Sequence, residues 1–218
     1  MEPKFWLERW EGNQIGFHQA EHNPHLVEYW QTLEVSEGAK VFVPLCGKSL
    51  DMRWLESRGH SVVGVELSQL AVEDYFEGAD NVEKDRVDSF VSYRCNQTQI
   101  YQGDFFDLTD SLLEDVDAVF DRAALIALPP EMRARYVEHM LGIVPVGCRI
   151  LLITLEYDQA RVSGPPHAVL RDEVEGLFRP RCDIDYVDSI LTPELPPKFQ
   201  QGGVGEASES IYVITKRY

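Results

Sequence analysis

The sequence predicts a doubly wound α/β domain, with a mostly parallel sheet of about seven strands and an antiparallel last strand. Its strand-like runs are short and continuously apolar, as strands are when helices cover both faces of a parallel sheet. Stretches with helical periodicity separate these runs. The last two predicted strands, residues 181–190 and 209–216, follow each other without a predicted helix and alternate in polarity like antiparallel strands. A chain of 218 residues suits one domain, so residues 1–218 are predicted to fold together.

The predicted elements follow in a regular order. The first helix is predicted within residues 23–33, with Pro24 in its first turn, and Ser68 is a suitable N-cap for a later one. Strands are predicted at residues 40–44, 61–66, 97–102, 116–121 and 148–155. Further helices are predicted at residues 50–58, from Ser68 to residue 76, at 130–142 and at 172–178. Residues 78–96 are polar without clear periodicity, and are predicted to form an irregular surface insertion.

The segment before the first strand is rich in aromatic residues: Trp6, Trp10, Phe17 and Trp30. Two interpretations stay open at this point. The aromatic residues could belong to an amphipathic helix that packs on the sheet, or they could form a lid that covers a flat ligand. We predict an N-terminal lid segment over residues 1–35 of the single domain.

Charge and composition restrict the class of ligand. The formal net charge is -17, without a Lys/Arg run, so a phosphate backbone would be repelled and no nucleic-acid partner is expected. No apolar run approaches the roughly 20 residues that span a bilayer, and the amino terminus lacks a secretory pattern. The four cysteines form no CxxC pair and are expected to be reduced thiols, which favours the cytoplasm. A small-molecule substrate and a monomeric protein are expected.

The first turn of the predicted sheet lies in VFVPLCGKSLDMRWL, residues 41–55. Gly47-Lys48-Ser49 is the end of a P-loop pattern, but Phe42 stands where that pattern needs its first glycine. The GxGxxG pattern of a dinucleotide site is also missing, so no pyrophosphate is expected. Glu66 ends the second strand about 20 residues later, where an acid accepts the hydroxyls of a ribose. A ribose without phosphates is what S-adenosylmethionine presents.

The third strand ends at GDFFDL, which contains Asp104 and Phe105. Asp104 is placed to accept from an adenine amino group, and Phe105 to stack on the ring. Alternatively, Asp104 caps a turn and Phe105 belongs to the core. Together with Glu66 on the neighbouring strand, the adenosine interpretation is preferred, because ligands of doubly wound sheets collect at the carboxyl ends of the strands.

Histidines suggest two weaker alternatives. His18, His22 and His25 would share a face if they lay on one helix and could then bind zinc, but Pro24 makes such a helix doubtful, and no metal is expected. His167, in a loop after the fifth strand, is a candidate general base, although a single loop histidine is more often structural or exposed.

Six segments carry a resemblance to a known family: FWLERWEGNQIGFHQ, VFVPLCGKSLDMRWL, GHSVVGVELS, GDFFDL, FDRAAL and GPPH. In this order and spacing they resemble the thiopurine S-methyltransferase family in its bacterial form, from about residue 5 to the end. The resemblance is weakest in residues 78–96 and 192–210. It implies the Rossmann-like fold of class I methyltransferases, whose seven-stranded sheet has an antiparallel last strand. It also implies S-adenosyl-L-methionine as cofactor and S-adenosyl-L-homocysteine as product.

The resemblance implies cofactor contacts at four positions near the first two strands. Trp10 would lie over the cofactor, and Leu45 and Gly47 would shape the turn under its methionine portion. Glu66 would hold the ribose hydroxyls.

It also implies roles at the next strand ends. Asp104 and Phe105 would frame the adenine. Arg122 would contact the cofactor and act as the catalytic residue between cofactor and substrate, and Phe17 would face the aromatic ring of the substrate.

The expected reaction is the S-methylation of small aromatic or heterocyclic thiols by in-line methyl transfer. A heteroaryl thiol is partly ionised near neutral pH, so no dedicated base is needed, and Arg122 could stabilise the thiolate. The alternative for Arg122 is a structural salt bridge, for instance with Asp121. Alternative functions are methylation of inorganic selenium or tellurium compounds and, from another class, a non-catalytic cofactor-binding module.

Overall fold

A computed structural model describes residues 3–218, and its backbone forms a nine-stranded sheet with helices around it. The strands are β1 (Lys40–Val43), β2 (Ser61–Glu66), β3 (Glu83–Val87), β4 (Phe90–Cys95), β5 (Thr98–Gln102), β6 (Ala118–Asp121), β7 (Arg149–Tyr157), β8 (Cys182–Leu191) and β9 (Ala207–Lys216). The α-helices are α1 (Pro3–Glu11), α2 (Pro24–Tyr29), α3 (Leu50–Ser57), α4 (Gln69–Tyr75), α5 (Asp110–Leu113), α6 (Pro130–Ile143), α7 (Arg171–Phe178) and α8 (Pro197–Gln201). Short 3₁₀ helices cover Trp30–Leu33, Phe105–Asp107 and Leu125–Ala127.

The strand order is β3-β4-β5-β2-β1-β6-β7-β9-β8. Strands β5, β2, β1, β6 and β7 pair in parallel, and β9 is antiparallel to both β7 and β8. The predicted fold class is therefore confirmed, including the antiparallel last strand. The strand order reverses between β2 and β6 around β1, which places the switch point of a doubly wound sheet at the end of β1.

The prediction that residues 78–96 are irregular was wrong, although the segment does lie at the surface, at the edge of the sheet. These residues contain β3 and β4, an antiparallel hairpin that joins the edge of the sheet through β5 and raises the strand count from seven to nine. The strand β3 reads EKDRV and four of its five residues are exposed, so it has neither the apolar run nor the alternation by which strands are recognised. A charged strand of this kind protects a sheet edge from pairing with another chain.

Core side chains on the two faces of the sheet explain the continuous apolar strands. Val41 and Val43 of β1 pack in one cluster, with Leu151 of β7, whereas Phe42 packs in the other, with Ile150. Because alternate residues of a strand point to opposite faces, a strand covered on both sides must be apolar at every position.

The N-terminal segment divides into two parts. Leu26, Trp30 and Leu33 are buried in the core cluster that contains Val41, so the helical part from Pro24 to Leu33 packs on the sheet. Trp10 of α1 is also buried, but it lies over the turn that follows β1. The packing interpretation therefore holds for the part from Pro24 to Leu33. That residues 1–35 act as a lid stays a prediction, and residues 1 and 2 lie outside the described part of the chain.

The connection between β8 and β9 lies at the carboxyl edge of the parallel strands, because Leu191 pairs with Ser208 and Tyr157 with Ala207. It contains the short helix α8, which the sequence did not predict. Across residues 3–218, none of the helices has the length and apolarity that crossing a bilayer requires.

Candidate functional site

The turn after β1 is folded tightly against the end of β2. The Cys46 N–H donates to the Val65 carbonyl over 3.0 Å, and Leu45 and Gly47 adopt left-handed φ values of 47° and 53°. A left-handed conformation is costly for leucine and is found mainly where the surrounding structure imposes it, often at functional sites. Gly64 accommodates this turn, since a Cβ on it would lie 2.7 Å from the Cys46 sulfur.

Glu66 is buried at the end of β2, directly beside this turn. Its Oε2 accepts the Gly47 N–H at 2.9 Å and its Oε1 accepts the Ser68 N–H at 2.7 Å. Burial raises the pKa of the Glu66 carboxyl, and these backbone donors oppose the shift. No cation neutralises this carboxylate within residues 3–218, and each oxygen keeps a further lone pair. The group can therefore accept two hydroxyl donors from a ligand.

The indole of Trp10 lies on Gly47. A Cβ on Gly47 would lie 3.0 Å from Cζ2 of Trp10, so the glycine is what allows this close approach. Phe17 makes an edge contact with Trp10, with ring centroids 5.5 Å apart, and keeps 39% of its surface exposed. Lys48 lies 5.9 Å from the Trp10 ring and pairs with Asp74 at 2.9 Å. The structure thus brings Trp10, Phe17 and Gly47 together above the end of β1.

Asp104 and Phe105 follow β5, the strand next to β2. Asp104 caps the 3₁₀ helix Phe105–Asp107 by accepting the Phe106 N–H at 2.9 Å. The Phe105 ring is buried in the core, where it stacks on Phe42 and packs against Tyr136. This geometry is that of the turn-cap alternative, and it leaves the second Asp104 oxygen free of protein partners among residues 3–218. The adenine roles of both residues stay predictions.

Arg122 follows β6, and its ion-pair partner is not Asp121. Arg122 Nε lies 3.3 Å from Asp51 Oδ2, and both side chains are largely buried. Asp121 instead accepts the Tyr136 hydroxyl at 2.7 Å and the N–H groups of Ala124 and Leu125. The predicted salt-bridge partner was therefore wrong, because the Asp121 carboxylate is bonded to Tyr136 and to the chain after β6.

Sequence reasoning missed Asp51 and Asn23. The Asn23 N–H donates to Asp51 Oδ1 at 2.6 Å, which joins the N-terminal segment to α3. An acid in the first turn of a helix is common for electrostatic reasons, so Asp51 gives no signal of its own in the sequence. Its two distant partners are brought to it only by the sheet order.

The three N-terminal histidines do not share a helix. His18 and His22 precede α2, and His25 lies in its first turn, where it pairs with Glu209 at 2.9 Å. Burial lowers the pKa of His18, with Lys48 and Arg122 adding to the effect. Over residues 3–218, no group of three or more histidine, cysteine or acidic side chains has the arrangement of a metal site.

The residues at this edge fit an adenosine ligand without phosphates. Glu66 offers a buried, cation-free carboxylate at the position that receives a ribose, and Gly47 provides a surface without a side chain under an aromatic ring. Neither the turn nor the strand end offers the row of glycines that a pyrophosphate needs.

Known proteins place the chain in one family. The family description Thiopurine S-methyltransferase (TPMT) matches residues 1–217. The chain is 47% identical to a thiopurine S-methyltransferase of Nitrosospira multiformis, over 100% of this chain and 99% of the relative. It is also 47% identical to one of Pseudomonas fluorescens, over 100% of both chains.

Solved structures agree on the fold. A SAM-dependent methyltransferase of Anabaena variabilis superposes with a TM-score of 0.70 at 12% identity, over 99% of this chain and 95% of the other. A Burkholderia thailandensis N1-methyltransferase, solved with S-adenosylhomocysteine, gives 0.64 at 14% identity, over 98% and 87%. The chain belongs to the thiopurine S-methyltransferase family and is an S-adenosylmethionine-dependent methyltransferase.

Proposed function

We propose that the protein methylates the sulfur of small aromatic or heterocyclic thiols of the thiopurine kind. The observation that carries the proposal is the full-length identity of 47% to relatives that bear this activity in their names. The buried carboxylate of Glu66, held open by backbone donors beside Gly47, supports it from the structure.

The cofactor would lie at the carboxyl edge of the sheet. Glu66 would hold the ribose hydroxyls, Leu45 and Gly47 would lie under the methionine portion, and Trp10 would cover it. Their geometry supports these roles, since Trp10 already lies directly on the glycine. Asp104 would accept from the adenine through its free oxygen. For Phe105 the buried ring supports a role as the floor beneath the strand end rather than as a stacking partner.

The substrate would enter beside Arg122 and Phe17. S-adenosylmethionine, when bound, supplies a methyl group on a sulfonium, which is already a strong electrophile. The chain has to orient the thiol, stabilise its ionised form and exclude water. The buried guanidinium of Arg122 supplies positive charge, and the exposed part of the Phe17 ring supplies an apolar surface for an aromatic substrate.

No dedicated base is needed to deprotonate the thiol. A heteroaryl thiol loses its proton near neutral pH, and Arg122 would lower its pKa further. His167 is not assigned a catalytic role; its Nε2 is buried without a partner among residues 3–218, and burial lowers its pKa, which favours the neutral form.

The test is a methyl-transfer assay of the purified protein with S-adenosylmethionine and three acceptors: a thiopurine, thiophenol and selenite. We expect S-methylated products from the two thiols, with weak or absent turnover of selenite. Turnover of selenite alone would replace this proposal by the inorganic alternative, which the named relatives do not favour. A rise in melting temperature with S-adenosylhomocysteine but not with NAD or ATP is expected alongside.

We further propose a monomer in the cytoplasm that does not bind nucleic acid. All four cysteines are free, and three of them are buried, as in proteins of reducing compartments. The net charge of -17 opposes binding to a phosphate backbone. Size-exclusion chromatography with light scattering would refute the monomer if it gave twice the chain mass of 24.9 kDa.

A further inference from the structure

We propose that Asp51 is a positioning residue, which holds Arg122 in the active site and ties the N-terminal segment to it. The inference deepens the proposed function and rests on it, because it assigns to Asp51 an effect on the transfer to the thiol. Asp51 itself is not required to touch substrate or cofactor.

Three separate parts of the chain meet at the Asp51 carboxylate. Oδ1 accepts the backbone N–H of Asn23 at 2.6 Å. Oδ2 accepts the Ser49 hydroxyl at 2.8 Å and lies 3.3 Å from Arg122 Nε. Asn23 is the N-cap of α2, Ser49 ends the turn after β1, and Arg122 follows β6. The Asp51 side chain therefore joins the N-terminal segment, the turn after β1 and the end of β6.

The pairing of Asp51 with Arg122 takes place largely out of water. Their side chains are 4% and 15% exposed, so the attraction is weakly screened. Arg122 Nε has no hydrogen-bond partner, and Arg122 forms no second ion pair within residues 3–218. The Asp51 charge therefore holds the guanidinium from its buried Nε side, and the two terminal nitrogens would be left for an anionic substrate.

Asp51 also fixes the end of the segment that carries Phe17. Besides donating its N–H to Asp51, Asn23 caps α2 by accepting the His25 N–H at 2.9 Å. Residues 12–22 span the distance from α1 to this anchor, and Phe17 within them contacts Trp10. Loss of the anchor would leave the predicted substrate side of the lid attached mainly through the aromatic contacts.

A purely structural role makes a different prediction. If Asp51 only stabilised the first turn of α3, its replacement would lower stability without a specific effect on thiol turnover. Asp117 is a matched control, because its carboxylate also accepts a backbone N–H from a distant residue, Lys40, at 2.8 Å. It lies just before β6, at the opposite edge of the sheet from the site.

The experiment compares Asp51→Asn, Asp117→Asn, Arg122→Ala and the double variant Asp51→Asn/Arg122→Ala. Melting temperature, and kcat and KM for cofactor and thiol, are measured for each. We expect Asp51→Asn to lower kcat/KM for the thiol by on the order of tenfold or more, as loss of a supporting hydrogen-bond partner does. The KM for S-adenosylmethionine should change little, and Asp117→Asn should retain wild-type kinetics. In the Arg122→Ala background, Asp51→Asn should have almost no further effect, since its partner is gone.

Two outcomes would overturn the inference while leaving the proposed function intact: wild-type kinetics for Asp51→Asn, or effects of the two substitutions that multiply independently. Inactivity of the wild-type protein toward every thiol would instead refute the proposed function, and the role of Asp51 in it. Hydrogen exchange gives a readout that needs no turnover: the Asn23 amide should exchange faster in Asp51→Ala than in wild type. Unchanged exchange at Asn23 would overturn the anchoring part.

Discussion

Glu66 combines deep burial with the absence of a cation among its partners within residues 3–218, and this combination decides how it can act. A buried carboxylate is costly unless its oxygens are hydrogen-bonded. Two backbone N–H groups offset part of that cost. Because these donors carry no net charge, they leave the negative charge of the carboxylate unpaired. In the proposed cofactor site, the ribose hydroxyls would supply donors to the remaining lone pairs. Ligand binding would therefore complete a set of hydrogen bonds that the protein alone leaves incomplete.

Cofactor affinity should consequently depend on pH through Glu66. Its pKa is raised by burial, so the proton competes with ligand at a higher pH than for an ordinary glutamate. Affinity for S-adenosylhomocysteine should be full above this raised pKa and should weaken as the pH falls through it, because a protonated carboxyl loses acceptor capacity. Calorimetric titrations over a series of pH values from neutral toward acid measure this.

The control is Glu66→Gln, which keeps the shape but carries no titrating group. It should bind roughly tenfold more weakly at neutral pH, as expected when a hydrogen bond to a charged group is weakened, and its affinity should not vary with pH over the same range. A wild-type affinity that does not vary with pH would contradict the role of Glu66 titration in binding, and a fall of equal size in the Gln variant would show that another group titrates.

At this scale the sequence located positions but not partners. Glu66 and Arg122 were predicted from strand ends, and the structure places both at the carboxyl edge. The partner of Arg122 could not be predicted, because Asp51 is 71 positions away and meets it only through the β2-β1-β6 order. The sequence suggested the adjacent Asp121 as the partner of Arg122, but Asp121 accepts the Tyr136 hydroxyl instead.

The hairpin of β3 and β4 is the element that departs most from the sequence prediction. Phe90 of β4 is buried against Gly103, and a Cβ on Gly103 would lie 2.5 Å from the Phe90 ring. The hairpin is thus seated on the residue that precedes Asp104, so its packing borders the predicted adenine site. Its two buried rings, Phe90 and Tyr93, follow a charged and exposed β3, and this is too weak a signal to predict a strand pair.

Gly103→Ala should destabilise the protein by about 1–3 kcal/mol, the usual cost of inserting a methyl group into a packed contact. Replacing Phe90 by leucine in the same chain should recover part of that loss, because the smaller side chain vacates the clash. Gly142→Ala is the matched control: it lies in α6 with open space around its Cβ position, so it should be neutral or stabilising by up to about 1 kcal/mol. Urea unfolding of the wild type and the three variants measures these changes. Equal stability of Gly103→Ala and wild type would mean that the hairpin does not pack on Gly103 as described.

At the scale of the whole molecule, one feature was accessible from composition alone: the excess of negative charge. Asp and Glu outnumber Lys and Arg by 37 to 20. Most ion pairs between described residues involve at least one well-exposed side chain, as in Lys4–Glu8 and Arg161–Asp158, and pairs of that kind contribute about 0–1 kcal/mol each. Self-repulsion should therefore outweigh them in the total electrostatic free energy.

Added salt should then stabilise the protein. Repulsion spread over the whole surface is screened once the Debye length falls below the distances between charges, from roughly 20 Å at low salt to about 4–5 Å near 0.5 M. The melting temperature should rise steadily when sodium chloride is increased over this range, and potassium chloride should have the same effect, because screening does not distinguish the two cations. A rise with only one cation would indicate a specific ion site instead. A falling melting temperature would mean that attractive pairs such as Asp51–Arg122 and Arg133–Glu173 dominate the electrostatics of folding despite the net charge.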